Sequence, residues 1–395
     1  MVRHRAPWVH NGWRRRPIAA ATDPAQRSAR VDAPGREAAG LDVSTLDDDT
    51  TVRGAARTDP ASAAEAVGLV HVSDDEPGIR RVRRGTGFGY RGPDGTWLTG
   101  DRTRARFEDL AIPPAWTDVW ICRDRDGHLQ ATGRDDAGRK QHIYHPRWRD
   151  ARDAAKFARL CAFPDSLTTL RDAVDDGLRQ RSDRGHWLLA LVVSLLDRTL
   201  IRIGNQASVD AHDTYGLTTL LDEHVTATTA TATLAFDGKG GTHHEVAVTD
   251  RRLVRAIAAC AEEPGQQLFS WHDDEGSHDV DSTAVNAWLQ TVTGDPWTAR
   301  DFRVWGGTVA AATALAALQP QPDDDLDRLV LTGFDAAAEA LHNTRAVARA
   351  SYVHPAVAEA FRAGELPRRF ARARARRRLT REESAVAHLL DDHAN

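Results

Sequence analysis

Four short segments of the sequence each place a side chain suited to phosphate chemistry at a predicted structural boundary. In chain order they are LIRIGN with Arg202, FDGKGG with Lys239, ARDFRVWGGT with Arg303, and LHNTRAVARASYVHP with Asn343 and Tyr352. Guanidinium groups bind phosphate oxygens through paired N–H donors, and a tyrosine hydroxyl can act as a nucleophile. Tyr352 is therefore either a nucleophile with partners upstream or an ordinary helix aromatic.

Lys239 stands out because lysine is scarce in this chain. Of the 52 Lys and Arg residues only three are lysine, namely Lys140, Lys156 and Lys239. A lysine that persists among so many arginines is a candidate for a task that a guanidinium cannot perform, such as releasing a proton.

Each of these residues, taken alone, also has an ordinary structural explanation. A tyrosine on an alanine-rich helix is usually a half-buried aromatic. Arg202 near a helix C-terminus suits the helix dipole, and Lys239 in a Gly-rich turn suits solvent. Asn343 suits a helix cap, for which Thr344 competes, and Arg303 suits an ion pair with its neighbour Asp301. The functional interpretation depends on all five candidates meeting in one place.

Two folded domains are predicted around these segments, in an α+β fold. Strand-like runs joined by the turns GPDGT, RDGH and DAGR predict a small β-rich N-terminal domain over residues 67–147. Residues 148–366 predict a larger, mainly α-helical catalytic domain, interrupted by one β-hairpin whose turn carries Lys239. Residues 1–66 predict a disordered tail, and residues 367–395 an arginine-rich tail that becomes helical once a partner neutralises it.

Composition and charge narrow the functional classes. The net charge of −5 argues against a uniformly basic nucleic-acid binder, yet Pro367 to Arg381 contains eight arginines and no acid, and local patches decide such affinity. Three widely spaced cysteines indicate neither a disulfide framework nor a zinc site. The longest apolar run is about half a membrane span, and no apolar segment follows the basic N-terminus. We therefore expect a soluble protein of the cytoplasm.

Taken in order, the segments resemble the type IB DNA topoisomerases, specifically the poxvirus-like branch that has bacterial members. The resemblance covers residues 68–366 and includes QATGRDDAGRKQHIYHPRW, LIRIGNQASVDAHDTYGLTTLLDEHV and DFRVWGGT. It implies a fold of the tyrosine recombinase/type IB topoisomerase kind. It also implies duplex DNA, preferably supercoiled, as the partner of a monomer that forms a clamp, with neither a metal nor another cofactor. A nucleoid-associated location fits this activity.

The resemblance implies a role for each candidate residue. Tyr352 attacks a phosphodiester, the 5′ oxygen leaves, and a 3′-phosphotyrosyl bond forms. Arg202 and Arg303 stabilise the charge of the transition state, and Asn343 donates to a nonbridging oxygen. Lys239 protonates the leaving alkoxide. After the free strand swivels, the 5′ hydroxyl attacks the phosphotyrosine and reseals the DNA.

Two further segments are expected to contact DNA. In the family, one segment of the β-rich domain faces the major groove, and here it interleaves basic residues with an aromatic. Its predicted contact residues are Arg139, Lys140, Gln141, His142 and Tyr144. The arginines after Pro367 are predicted to add weak, salt-sensitive affinity.

The chain departs from the family pattern beside the nucleophile. The family usually has Gly-Asn-Thr-Pro or Gly-His-Thr-Pro, whereas this chain has His342, Asn343, Thr344 and Arg345. Losing the glycine alters a position that tolerates positive φ, and losing the proline frees the next turn. The nine-residue spacing to Tyr352 still selects Asn343 rather than His342. We expect the departure to affect the rate of the reaction more than the family assignment.

Three other functions fit parts of the pattern. A tyrosine recombinase shares the chemistry and the Tyr-x-His spacing, but usually has histidine where this chain has Arg300. A non-catalytic DNA-binding paralogue would explain the altered HNTR segment, but it has no need of five catalytic residue types. A metal-dependent nuclease is the weakest alternative, because His243, His244 and Glu245 lack the HExxH spacing.

The GFGYRG segment matches the GxGxxG pattern of dinucleotide-binding proteins, but it precedes a hairpin turn rather than a helix, so no dinucleotide site is predicted.

Overall fold

The computed structural model describes residues 59–136, 138–262, 267–274 and 276–394, and the backbone of two short paired strands near the N-terminus. Those strands are β1 (Val9–His10) and β2 (Trp13–Arg14). Most of the predicted N-terminal tail thus lies outside the described residues, but the prediction of disorder is wrong for its end, because Pro60–Ala66 form a helix. After this strand pair, the described chain forms two compact units, the first ending at Lys156 and the second beginning at Phe157. No described helix combines the length and apolarity needed to cross a membrane.

The N-terminal unit is built on a five-stranded antiparallel sheet with the strand order β4-β3-β5-β6-β7. The strands are β3 (Ile79–Arg84), β4 (Gly87–Arg91), β5 (Thr117–Ile121), β6 (Leu129–Arg134) and β7 (Lys140–Tyr144). Two helices accompany them, α1 (Pro60–Ala66) and α2 (Asp101–Asp109). One face of the sheet packs Ile79 and Ile121 against Phe107 of α2. The predicted small antiparallel sheet is therefore confirmed.

The second unit is mainly helical. Its first helices are α3 (Pro146–Leu160), which begins before the boundary, α4 (Phe163–Gly177), α5 (Arg184–Thr199), α6 (Gln206–His212) and α7 (Arg251–Ala261). The later helices are α8 (Ser282–Thr293), α9 (Ala299–Ala316), α10 (Leu326–Leu341), α11 (Arg345–Ser351), α12 (Pro355–Arg362), α13 (Leu366–Arg372) and α14 (Arg381–Ala394). Most residues of α9 are buried, which makes this helix the centre of the unit.

Strands interrupt the helices at two places. The predicted hairpin is confirmed as β9 (Ala232–Gly238) and β10 (Thr242–Val248), with β8 (Val225–Ala227) on the other side of β9. The prediction of uninterrupted helices after Arg251 is wrong, because β11 (Ser270–Asp273) and β12 (Gly276–Asp279) form a second hairpin. Gly276 has φ +130°, a conformation that suits a glycine-containing turn better than a helix.

The C-terminal arginine-rich segment is folded, which differs from the expected tail. Helices α13 and α14 pack against α9, and the side chains of Leu366, Val386 and Leu390 are buried in the main core. Arg377 pairs with Asp172 of α4, and Arg378 pairs with Asp172 and Asp175. The acids that neutralise these arginines therefore belong to the same chain.

A buried ion-pair network ties α14 to the rest of the unit. The guanidinium of Arg171 lies 2.7 Å from Asp197 of α5 and 2.7 Å from Glu383 of α14. Glu383 also accepts a hydrogen bond of 3.4 Å from the indole of Trp305 on α9. Glu383 thus joins α14 to Arg171 of α4 and to Trp305 of α9. Removing one member of the network would leave a buried charge without its partner, which is costly.

Candidate active site

Arg303 lies in the interior and joins the ends of two helices. Its side chain is only 4% exposed. One terminal nitrogen donates to the carbonyl of Leu200 at the end of α5, and the other donates to the carbonyl of Leu341 at the end of α10, at 3.0 Å. These carbonyls lie where a helix lacks internal donors, so Arg303 satisfies both. Its Nε is buried and has no hydrogen-bond partner among the described residues.

The glycine pair that follows Arg303 allows close packing around it. A Cβ atom on Gly306 would lie 2.5 Å from the side chain of Leu200, and one on Gly307 would lie 2.9 Å from the carbonyl oxygen of Tyr352. Separations under 3.0 Å are too short for real Cβ atoms. The Gly-Gly sequence therefore brings the end of α5 and the Tyr352 backbone up against α9.

Arg202 lies in the loop after α5 and holds Asn343. The loop is packed tightly, because the Arg202 carbonyl accepts from Leu217 N–H at 2.7 Å and Gly216 approaches Gly204 closely. A terminal nitrogen of Arg202 donates to Oδ1 of Asn343. Since a guanidinium has no acceptor, the amide must turn its oxygen to Arg202 and keep Nδ2 as a donor. That Nδ2 is buried without a partner in the described part of the chain.

Thr344, rather than Asn343, is the N-cap of α11, the helix that follows α10. The side chain of Asn343 is therefore available to the site. Thr344 Oγ1 accepts from the Val347 N–H at 3.3 Å and forms the N-cap of α11. The competing explanation of Asn343 as the helix cap is therefore wrong.

Tyr352 follows the last residue of α11 and is 6% exposed. Its carbonyl accepts from Oγ1 of Thr308 on α9 at 3.3 Å. Its ring centroid lies 5.1 Å from Cζ of Arg303 and 5.9 Å from Cζ of Arg300. Tyr352 is thus a buried phenol beside two guanidinium groups, not a surface aromatic.

The electrostatic environment of Tyr352 favours its ionised form. Burial raises the pKa of the phenol, but the charges of Arg303, Arg300 and Arg202 together lower the pKa below its ordinary value. Burial lowers the pKa of Arg303 to about 10, so its guanidinium is still protonated at neutral pH. The site therefore offers positive charge and unpaired N–H donors to a negatively charged group.

Lys239 occupies a different environment from the other four candidates. It lies at the exposed turn between β9 and β10. The turn end of β10 is close to the site, because the ring of His244 lies 4.8 Å from that of His342. Burial and then the charges of His342, Arg202 and Arg303 lower the pKa of His244 to about 4. The structure thus gathers four of the five candidates, Arg202, Arg303, Asn343 and Tyr352. Lys239 lies at the exposed turn of the adjoining hairpin, so the expectation that all five meet in one place is met for four of them.

Comparisons with known proteins identify the family of this chain. Residues 145–366, more than half of the chain, match the family model described as the catalytic core of eukaryotic DNA topoisomerase I. Residues 87–135 match the N-terminal domain of bacterial DNA topoisomerase IB. The chain belongs to the type IB DNA topoisomerases. The DNA topoisomerase 1B of Acanthamoeba polyphaga mimivirus is 27% identical over 285 residues, which cover 70% of this chain and 85% of that protein.

Family membership confirms the resemblance and makes this topoisomerase an isomerase that acts on DNA. All five predicted catalytic residues fall within the matched catalytic core, whereas the arginine-rich segment lies beyond it. The mixed α and β composition likewise confirms the coarse fold class.

Arg300 is a site residue that the sequence analysis missed. It was noted only because a recombinase would have histidine there. In this topoisomerase its guanidinium contributes to lowering the Tyr352 pKa, and its Nε is another buried donor without a partner among the described residues. Its position three residues before Arg303 on a helix was the available signal, because residues three apart lie on one face.

The predicted DNA-contacting segment consists of Arg139 and, directly after it, β7, an edge strand of the five-stranded sheet. Arg139 pairs with Asp135 at 2.7 Å and Lys140 pairs with Asp74 at 2.7 Å. Gln141 is buried and donates to Asp135 at 3.0 Å. The two remaining predicted residues, His142 and Tyr144, have stacked rings 5.8 Å apart. DNA contact by these five residues stays a prediction, and two of its charges already have intramolecular partners.

The departures from the family pattern have clear structural consequences. His342, in the family's glycine position, has φ +50°, which confirms that this position requires a left-handed backbone. Arg345, in the proline position, begins α11 and makes two hydrogen bonds of 2.5 and 2.8 Å to Asp335 of α10. At this position the family has a proline, which fixes the backbone φ. This chain instead has an arginine whose bidentate ion pair joins α11 to α10.

Replacing His342 with Gly is expected to stabilise the fold by about 1 kcal/mol relative to His342→Ala, because only glycine adopts the left-handed conformation without cost. The alanine variant is the matched control, since both changes remove the ring contact with His244. Urea unfolding of the two variants measures the difference. Equal midpoints would show that the left-handed backbone carries no strain.

Proposed function

We propose that this topoisomerase nicks one strand of duplex DNA through a 3′-phosphotyrosyl bond, lets supercoils relax and reseals the strand, without ATP or metal. The observation that carries the proposal is the buried phenol of Tyr352 beside Arg303 and Arg300, in a site whose N–H donors exceed its acceptors. A phosphodiester supplies the acceptors and the negative charge that such a site favours.

The first step is attack by the Tyr352 hydroxyl oxygen on the phosphorus, which forms the P–O bond to tyrosine and breaks the bond to the 5′ oxygen. The positive charges of Arg303, Arg300 and Arg202 favour loss of the phenolic proton, which goes to solvent while the leaving oxygen takes its proton from Lys239. Buried N–H groups of Arg303 and Asn343 without partners in the described chain are suited to bind the nonbridging oxygens. An unpaired buried donor costs about 1–3 kcal/mol, so binding the phosphate relieves a cost present in the free enzyme.

Lys239 is proposed to protonate the leaving 5′ oxygen. It is exposed at the hairpin tip, where it is accessible to a bound duplex. An arginine in its place would keep the charge but would not release a proton at neutral pH.

Replacing Lys239 with Ala is therefore expected to slow strand cleavage by about 10²–10⁴-fold, the range for a lost general acid. A substrate with sulfur in place of the 5′ oxygen should restore the rate, because a thiolate leaves without protonation. The charge-matched control is Lys239→Arg, which should be slow on the oxygen substrate and fast on the sulfur substrate. Wild-type cleavage of the oxygen substrate by Lys239→Arg would show that Lys239 supplies charge alone.

The overall proposal is tested with negatively supercoiled plasmid in EDTA without ATP. We expect relaxation, and after denaturation a covalent adduct on the 3′ phosphate end of the cut strand, with a free hydroxyl on the 5′ end. Retardation of the plasmid without relaxation or adduct would instead support a non-catalytic DNA-binding protein. Four other properties stay predictions. They are a monomer that closes round DNA, a preference for supercoiled substrate, a location beside the nucleoid and a fold shared with the tyrosine recombinases.

A further inference from the structure

A surface cavity of about 640 Å³ lies between α13 and α14, and its basic lining is formed by Arg368, Arg369, Arg372, Arg374, Arg376 and His388. None of these six residues falls within the matched catalytic core. None of them belongs to the candidate active site. The cavity is therefore a second, separate concentration of positive charge on the same unit.

The acids in this cavity pair with only one of its arginines. The two acidic lining residues, Glu365 and Asp392, both pair with Arg369, at 2.8 and 2.5 Å. Arg368 and Arg372 make no hydrogen bond or ion pair with any described residue, and Arg374 has only a 3.4 Å contact with the adjacent carbonyl of Ala373. The guanidinium of Arg376 contacts the ring of His388 rather than an acid. Four guanidinium groups, those of Arg368, Arg372, Arg374 and Arg376, thus line the cavity without a carboxylate partner among the described residues.

Two neighbouring arginines of the same segment do have carboxylate partners. Arg377 and Arg378, outside the cavity lining, are paired with Asp172 and Asp175 of α4. Arg368 and Arg372 are one helical turn apart on α13, a spacing at which like charges repel. The cavity therefore concentrates arginines that lack a carboxylate partner, and a bound anion would remove the repulsion between them.

We propose that this cavity binds the phosphodiester backbone of duplex DNA outside the cleavage site. Guanidinium forks match phosphate oxygens, and this enzyme already acts on DNA. The whole chain has a net charge of −5, so a duplex is held only where positive charge is concentrated locally. Since α13 and α14 pack on α9, the contact is made on elements adjoining the helix that carries Arg303.

The test is the salt dependence of DNA binding by the full chain carrying R368Q and R372Q. Each phosphate contact contributes about 0.9 to the slope of log K against log salt. Losing two contacts should reduce the slope by about 1.8, with single-turnover cleavage of a saturated short duplex unchanged. An unchanged slope would overturn the proposal.

The matched control carries R362Q and R377Q, which removes the same charge from arginines already paired with Asp327 and Asp172. Its slope should stay close to that of the wild type, and an equal loss would assign the effect to net charge and overturn the proposal.

Calorimetric titration with tripolyphosphate distinguishes a small polyphosphate ligand from the DNA backbone. Binding that disappears in R368Q/R372Q, with an unchanged DNA slope, would reassign the cavity to a small polyphosphate. A failed nucleophile assignment is distinguishable, because it removes the covalent adduct and leaves the salt slope intact.

Discussion

Replacing Tyr352 with Phe is expected to abolish the covalent adduct and to reduce plasmid relaxation by at least roughly 10⁴-fold, as for other lost nucleophiles. The phenylalanine ring fills the same buried space beside Arg303 and Arg300. We therefore expect the free energy of unfolding to change by only about 1 kcal/mol, and DNA affinity to be retained. Adduct formation on a labelled duplex and urea unfolding measure the two effects.

Tyr215→Phe is the matched control for this experiment. Tyr215 also loses one hydroxyl, but that hydroxyl bonds to Asp213 at 2.6 Å, and this hydrogen bond raises the pKa of Tyr215 to about 12. Relaxation should therefore be normal in this variant. An adduct formed by Tyr352→Phe would place the nucleophile elsewhere and contradict the mechanism.

Replacing Arg303 with Lys is expected to impair both catalysis and folding. An ammonium group keeps the charge but cannot supply the planar fork, so cleavage should fall by about 10²–10³-fold, the range for losing one transition-state donor. The carbonyls of Leu200 and Leu341 also lose their donors. Each buried carbonyl left unpaired costs about 1–3 kcal/mol, so thermal unfolding should occur at a lower temperature.

Arg202→Lys separates these two effects of Arg303. Arg202 donates to Asn343 rather than to the carbonyls at the two helix ends, so its replacement should slow cleavage while changing stability much less. Single-turnover cleavage at saturating DNA, measured beside thermal unfolding, gives both quantities. A stability loss without a rate loss in Arg303→Lys would make Arg303 a structural brace alone.

The candidate site was predictable where the chemistry demands a particular residue type. The resemblance of their segments, in order, to the type IB topoisomerases identified Arg202, Arg303, Asn343 and Tyr352, four side chains that the structure gathers. The burial of Tyr352 was not predictable, because the seven-residue helix before it is alanine-rich. Its close packing is provided by Gly307 and Thr308, more than 40 residues upstream. Arg300 was missed because it was compared with a recombinase histidine rather than placed on the helix face of Arg303.

The fold was predictable where local patterns specify it. The DGKGG turn between alternating residues correctly indicated the β9–β10 hairpin. The C-terminal segment was misjudged because Pro367 to Arg381 contains eight arginines and no acid. The partners of two of them, Arg377 and Arg378, are Asp172 and Asp175 on α4, which are more than 200 residues away in sequence. Only the tertiary structure brings these charges together.

The network of Arg171, Glu383 and Trp305 has a consequence for synthesis on the ribosome. Arg171 and Trp305 emerge early, but the carboxylate that both contact emerges only with residue 383. A chain released before that point leaves α9, which carries Arg303, without its packing against α14. We infer that incomplete translation yields a poorly folded product for proteolysis rather than an enzyme that nicks the genome and fails to reseal it.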